Sequence, residues 1–506
     1  LVRGDVIGFP FVDDPLWFAD QTIINFIIKQ NNYKFCNYSL HMAEFIGRRK
    51  ELDLLEGWYA GDGFEFVAMY GRRRVGKTAL IEQFIKGKPA IFFSARRTKG
   101  NSNMRLFNKA VKRPLGVDDD NVLYFDDLLG MVADKADGRL VLVIDEFPYF
   151  AESNDDILSA LQVFIDHTAK RTKLFLILCG SSMGFMKRQV LGYESPLYGR
   201  RTQEMHVAPM GYMESAEFLK GRSSYEKACI YGAVGGVPMY LSRFSGEERA
   251  FDLLAREFFS RDSLLPSEPE SLILQELLDP KGYSDIIEAM ANGSTRISDM
   301  AGRSGIAAAE VSRRLDDLIG LAYVEKVSPM NERSERRTRY HLSDNLFRFC
   351  YQMVAARKQT MPGTSLEGTS ENLELEFPEY MGRVFESMCR QYVAERMGYP
   401  VTGKWWGPTE KGATAEIDVI GSVGRRGRTE GLFAECKFTS RLADMADLEK
   451  LKGSAAFVKG FDVRRYAVFS RSGFTDRLAD RAEAEGVELI SLDMMYGDAG
   501  GADGGA

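Results

Sequence analysis

Gly71-Arg72-Arg73-Arg74-Val75-Gly76-Lys77-Thr78 satisfies every position of the pattern G-x-x-x-x-G-K-[ST]. The chemistry follows from the residue types. Glycines let a backbone curl until successive N–H groups point at phosphate oxygens. The lysine reaches the β- and γ-phosphates, and the hydroxyl after it ligates Mg²⁺. The apolar run 64–70 before the loop reads as a strand. Lys77–Ile85 after it reads as a helix whose positive N-terminal dipole faces the anion. The stretch predicts a nucleoside triphosphate site in which Gly71, Arg72, Arg73, Arg74, Val75, Gly76, Lys77 and Thr78 surround the phosphates.

Outward from the loop, apolar runs at 90–94, 140–144 and 174–179 alternate with amphipathic stretches such as 156–168. That alternation predicts an α/β fold with a parallel sheet covered on both faces. Leu140-Val141-Leu142-Val143-Ile144 ends in Asp145-Glu146. Asp145 is placed to hold Mg²⁺ directly or through water, and Glu146 to orient and deprotonate an attacking water. The next run ends at Gly180-Ser181-Ser182, where a hydroxyl beside the γ-phosphate senses it; Ser181 is preferred over Ser182. Arg200, in Pro196-Leu197-Tyr198-Gly199-Arg200-Arg201, either brings positive charge to the transition state, in cis or from a neighbouring chain, or is a plain surface arginine.

The 506 residues are too many for one core, and about three domains are expected. A net charge of -6 excludes a global basic field, so any nucleic-acid contact must be local. Six isolated cysteines suggest neither a zinc site nor a disulfide framework, and point to a reducing, cytoplasmic setting. Asp13, Asp14 and Asp20 break the first apolar run, so no span of about 20 residues arises there and no membrane partner is expected. Met42 is read as the initiator, with 1–41 a non-native or disordered extension. The remaining divisions are 42–210 as ATP-site core, 211–266 as helical lid, 267–353 as winged helix-turn-helix, 354–375 as linker, 376–495 as a second α/β unit and 496–506 as disordered tail.

Within 267–353, Ile297 to Ala301 begins a short helix, 302–304 turns, and 308–318 forms a second helix with Val311, Leu315, Leu318 and Ile319 at helical spacing. Two short strands at 323–327 and 339–342 then flank a wing-like loop carrying Arg333, Arg336 and Arg337. Those arginines suit DNA phosphates. The alternative is a domain used for protein packing, with a solvated charged loop.

The C-terminal unit holds a second set of carboxylates. Glu416-Ile417-Asp418 and Glu435-Cys436-Lys437 lie on neighbouring strands, where alternation puts Asp418 on one face with Glu416, and Glu435 with Lys437. Cys436 must then point away into the core. If the strands pair antiparallel, Asp418 and Glu435 converge and can hold Mg²⁺. Lys437 then stabilises charge or positions a water. Glu386 follows Gly382 by one helical turn, and the missing side chain leaves room for an ion or substrate.

Two resemblances follow from these residues. Phe45-Ile46-Gly47-Arg48-Arg49-Lys50-Glu51-Leu52, the loop, Asp145-Glu146, Gly180-Ser181-Ser182, 196–200 and Gly235-Gly236-Val237-Pro238-Met239-Tyr240 together resemble the archaeal-type ATPase family of AAA/STAND-like P-loop ATPases. The resemblance covers roughly 42–244. It implies ATP rather than GTP, and gives Gly47 and Arg48 an adenine-proximal role. The C-terminal arrangement resembles the PD-(D/E)XK nuclease fold, with Glu386, Asp418, Glu435 and Lys437 on its site positions; such a domain accompanies many archaeal-type ATPases. The implied whole is a parallel-sheet P-loop NTPase domain with helical lid, a winged-helix domain and a nuclease-like α/β domain. Its expected partners are ATP, Mg²⁺ and double-stranded DNA, with a homo-oligomer or protein partner left open. The competing expectation is a signalling or regulatory ATPase switch whose C-terminal domain cuts nothing. A transporter-type ATPase is disfavoured because no LSGGQ-like run occurs.

Overall fold

The computed structural model describes residues 25–26, 45–98, 101–117, 121–136, 138–277, 279–332, 335–360, 365–409, 412–425 and 427–497. The predicted initiator Met42, Arg333 of the wing, the first part of the Gly/Ser/Thr-rich linker at 361–364 and the tail beyond 497 lie outside the described residues, as does the extension 1–41 apart from two residues.

Those two residues, β1 (Asn25–Phe26), pair antiparallel with β3 (Ala90–Ser94) at the edge of a six-stranded sheet. The other members are β2 (Glu65–Tyr70), β4 (Leu140–Asp145), β5 (Leu174–Gly180) and β6 (Gln203–His206), in the order β1-β3-β4-β5-β2-β6. All pairings from β3 to β6 are parallel. Every residue of β4 and β5 is buried, which explains their unbroken apolar sequence: strands covered on both faces have no solvent side to mark. Along β2, Phe66, Ala68 and Tyr70 join one core while Val67 and Met69 join the core on the opposite face. The turn after β2, Asp145 at the end of β4 and Ser181 after β5 therefore share one sheet edge, with β5 between the other two strands.

The first core does not stop at the sheet. Leu272, Ile286, Met300, Leu315, Tyr323 and Leu342 belong to the same buried cluster as Phe66 and Leu142. They come from the helices Glu268–Glu276, Pro280–Ala291, Ile297–Ser304 and Ala308–Gly320 and from a two-stranded antiparallel ribbon of β7 (Val324–Val327) and β8 (Arg339–Leu342). The predicted turn at 302–304 is helical through Ser304, and Gly305 at φ 72° ends the helix. A side chain is strained in that left-handed conformation, so the stop falls one residue later than the turn was expected.

A second core joins the helices Ser224–Val234 and Ala250–Phe259, from the stretch expected to form a lid, to the long helix Leu366–Glu395 and the inner face of a mixed sheet. That sheet runs β13-β12-β11-β10-β9, from β9 (Val401–Pro408), β10 (Thr414–Arg425), β11 (Arg428–Lys437), β12 (Val463–Ser470) and β13 (Glu488–Ser491). The stretch 354–375 read as linker is helical over Ala355–Thr360 and again from Leu366 onwards, where the Ser365 hydroxyl accepts from the Gly368 N–H as N-cap. Cys436 packs against this second core, as the alternation along its strand requires. Among the described residues no helix is long and apolar enough to cross a membrane.

Candidate functional site

Gly71 follows β2 where the backbone of Val207 passes so close that a Cβ would lie 2.2 Å from its carbonyl oxygen. Only glycine fits, and the chain can bend into the loop there. Lys77 opens the next helix, 5% exposed, and its Nζ donates to the carbonyls of Gly71 (2.8 Å) and Arg72 (3.1 Å) and to Ser181 Oγ (3.0 Å). Ser181 Oγ in turn donates to Glu146 Oε1 at 2.6 Å. Thr78 Oγ1 donates to Asp145 Oδ2 at 2.9 Å. The loop, both carboxylates and the preferred serine of the sequence reading thus form one connected set.

Asp145 is 2% exposed, and its Oδ1 has no hydrogen-bond partner. Burial first, then the charge of Glu146, pushes its carboxyl above the usual range. A buried carboxylate oxygen without a donor fits a hard cation, and Mg²⁺ needs few protein ligands when phosphates and water supply the rest. Glu82, one turn after Thr78, is also raised by burial and by Asp145; no sequence motif singled it out. Three of the five non-glycine residues at positive φ among the described residues, Arg48, Arg74 and Glu146, lie around this site. Strained backbone concentrated at one place is a mark of a functional site.

The three loop arginines are held by carboxylates from far downstream. Arg72 pairs with Asp344, both nearly buried, Arg73 Nε reaches Glu276 Oε1 at 3.1 Å while its Nη2 donates to the Tyr149 hydroxyl, and Arg74 pairs with Glu268. Glu268 and Glu276 stand at the two ends of one helix, and Asp344 caps another by accepting from the Phe347 N–H. Sequence reasoning missed these acids, because no local spacing ties them to the loop.

Arg48 donates to the carbonyls of Val75 (2.8 Å) and Ala208 (2.7 Å), and its backbone N–H to Glu214. A Cβ on Gly47 would meet Glu214 Oε1 at 2.9 Å. Gly47 and Arg48 thus tie the loop to the segment between Ala208 and Glu214. Arg200 stands elsewhere: its guanidinium holds Asp166 at 2.6 Å and shares no hydrogen bond with the loop.

In the second sheet, β10 and β11 pair antiparallel with Val419 opposite Ala434, which brings Asp418 beside Glu435. Asp418 Oδ2 accepts from the Cys436 N–H at 2.9 Å, and burial together with the Glu435 charge raises its carboxyl to about 6. Glu435 is 1% exposed; its Oε1 accepts from Lys437 (2.7 Å) and Lys450 (2.8 Å), while its Oε2 has no partner. Lys437 also stands 3.5 Å from Asp447. Glu386 pairs with Lys404 of β9, a strand and a lysine that the sequence reading did not single out. Among the described residues no three His, Cys, Asp or Glu side chains gather closely enough to hold an ion. Asp418 and Glu435 alone form a two-carboxylate arrangement that suits Mg²⁺ when substrate and water complete it.

The wing-like loop is docked on this second sheet. The Met330 N–H donates to the Lys404 carbonyl at 2.8 Å, Asn331 Nδ2 to the Lys459 carbonyl at 3.1 Å, and the Arg339 guanidinium stacks 4.5 Å above the Trp406 ring. On the helix Ala308–Gly320, Arg313 is paired with Glu310 and Asp317, and Arg314 with Glu310 and Asp279.

Residues 45–244 match the family model of an ATPase domain predominantly from Archaea, and 350–450 match that of archaeal and bacterial proteins of unknown function. An uncharacterised protein of Methanocaldococcus jannaschii is 28% identical over 385 residues, which cover 74% of this chain and 84% of the relative. The Walker-type ATPase of Pyrococcus abyssi aligns with a TM-score of 0.47 and 20% identity over 61% of this chain and 97% of its own. The ORC2 protein of Aeropyrum pernix, solved with ADPNP and ADP, aligns at 0.41 and 14% over 67% and 97%.

Proposed function

We propose that this chain hydrolyses ATP at the 71–78 loop and uses the nucleotide state to govern a DNA-directed site in its C-terminal sheet. The observation that carries the first half is the connected set Lys77–Ser181–Glu146 beside Thr78–Asp145. The match of residues 45–244 to an archaeal ATPase domain supports ATP as the nucleotide.

Each residue has a task. Lys77 exchanges the Gly71 and Arg72 carbonyls for phosphate oxygens, a stronger charge-assisted interaction. Glu146, oriented by Ser181, accepts the proton of a water attacking the γ-phosphorus, and the bridging oxygen leaves with ADP. Thr78 and Asp145 would hold Mg²⁺, which supplies charge neutralisation at the β- and γ-oxygens. The ion pairs of Arg72, Arg73 and Arg74 with Asp344, Glu276 and Glu268 give the loop a direct mechanical link to the domain after the lid. Arg200, held by Asp166 within its own chain, suits a role across a subunit interface better than one in cis.

For the second half, Asp418 and Glu435 are the cation pair, Glu386 and Lys437 its neighbours, and DNA the proposed substrate. A specific observation favours the second reading, a regulatory ATPase that cuts nothing: Glu386 and Glu435 are already paired with lysines. ATPase assays with DNA and with candidate protein partners separate them. Stimulation by DNA and Mg²⁺-dependent nicking that Asp418→Ala abolishes support the first. Stimulation by a protein partner alone, with no nicking, supports the second.

A further inference from the structure

A cavity of about 280 Å³ lies where the ribbon meets the second sheet. Its walls come from β8 (Arg339, His341), the long helix (Arg383, Glu386), β9 (Lys404, Trp406) and β10 (Glu416, Asp418). Three basic and three acidic side chains line it, but they are not all paired. Lys404 is neutralised by Glu386, but among the described residues no carboxylate lies within ion-pair distance of Arg339 or Arg383. Arg339 rests on the Trp406 ring, and Arg383 reaches the ring nitrogen of His341 at 3.2 Å from the cavity's rim, which it shares with the exposed Glu416. His341 is neutral near pH 7, because burial and then the charges of Arg383 and Lys404 push its pKa down to about 3. Asp418 lines the same cavity, and Glu435, its neighbour across the strand pair, lies behind it with a buried, unpartnered Oε2.

We propose that the ribbon strand β8 completes this cavity as a binding site for the phosphate of a single nucleotide unit, gripped by Arg339 and Arg383. A phosphate is the ligand that satisfies both walls at once: guanidinium forks on one side, and on the other a divalent cation held by the carboxylates. The volume admits a mononucleotide-sized group, below the usual range for larger ligands. A cavity of this size takes one nucleotide unit rather than a stacked pair, so the base of the bound unit must leave its stack or come from a free end. The orientation of the phosphate rests on the reading of Asp418 and Glu435 as a cation pair, and the two ideas can fail separately.

The test uses the full chain with Ca²⁺ and two probes, thymidine 5′-monophosphate and a fluorescein-labelled oligothymidylate. Arg339→Gln/Arg383→Gln should lower affinity for the bound probe at least tenfold and flatten the salt dependence by about 0.7 per lost phosphate contact. Arg339→Lys/Arg383→Lys should recover part of it, and ATPase activity in both variants should match wild type, which shows that they fold. Binding of the monophosphate marks a free nucleotide as ligand; binding of the oligonucleotide alone marks a strand; either sustains the proposal. It is overturned if wild type binds neither probe or if the glutamine variant binds as tightly as wild type. Nicking by wild type that Asp418→Ala abolishes, with unchanged binding by the arginine variants, leaves the nuclease reading standing and removes this one. Lost binding in the glutamine variant without any nicking by wild type does the reverse.

Discussion

At the scale of single residues, burial of charge sets the chemistry. Asp418 has a carboxyl raised to about 6, chiefly by desolvation and then by Glu435. Between its unfolded value near 4 and 6 the folded chain binds more protons than the unfolded chain, so stability falls as pH rises through that window. Asp418→Asn removes the effect. The variant should be more stable than metal-free wild type at pH 7, by on the order of 3 kcal/mol, with the gap closing towards pH 4. Thermal unfolding across that range checks it, and equal melting temperatures at pH 7 would refute it. Metal binding should have the opposite trend, strengthening in wild type from pH 5 to 7. At this scale Lys77, Thr78, Asp145 and Glu146 were legible because their roles depend on local spacing. Lys404 and Arg339 were not, because only the tertiary fold brings Lys404 to Glu386 and Arg339 to the Trp406 ring beside it.

At the scale of elements, the loop is a junction. Arg72 and Asp344 are 272 residues apart in sequence, and both are nearly buried. Removing one partner of such a pair leaves an uncompensated charge, costing about 3–5 kcal/mol. Asp344→Asn keeps an acceptor for the Phe347 N–H, so it isolates the ion pair from the cap. Urea unfolding should show that loss, and Arg72→Met/Asp344→Leu should recover much of it. A loss below 1 kcal/mol in Asp344→Asn would show that the pair carries little. The strands β2 to β5 and the helix Lys77–Ile85 were readable from apolar runs and loop chemistry. The strands β6 and β9 were not: Gln203-Glu204-Met205-His206 is polar at an edge, and Gly403, Gly407 and Pro408 disguise β9 as a loop. Strand alternation placed Asp418 and Glu435 on their faces, while the antiparallel pairing that joins them was only a condition of the sequence reading, which the fold meets.

At the scale of the whole molecule, the predicted units share cores. The first sheet packs with the helices and ribbon of 268–342, and the lid with the long helix and second sheet: Phe251 meets Phe377 edge-on at 5.4 Å, and Phe349 meets Tyr380 at 5.6 Å. Composition and motif spacing read domains one after another and cannot show that two of them bury one surface. A chain ending after residue 353 should therefore expose the apolar face of the helices Ser224–Val234 and Ala250–Phe259 and aggregate, whereas the full chain should stay monodisperse. A soluble fragment with native ATPase activity would contradict the shared core. The central claim remains the nucleotide site, and steady-state ATP hydrolysis with parallel ATP binding tests it most directly in wild type, Lys77→Ala and Glu146→Gln. Wild type should hydrolyse, Lys77→Ala should lose both binding and turnover, and Glu146→Gln should bind ATP but turn it over at least a hundredfold more slowly. Hydrolysis by Lys77→Ala at the wild-type rate would contradict the account.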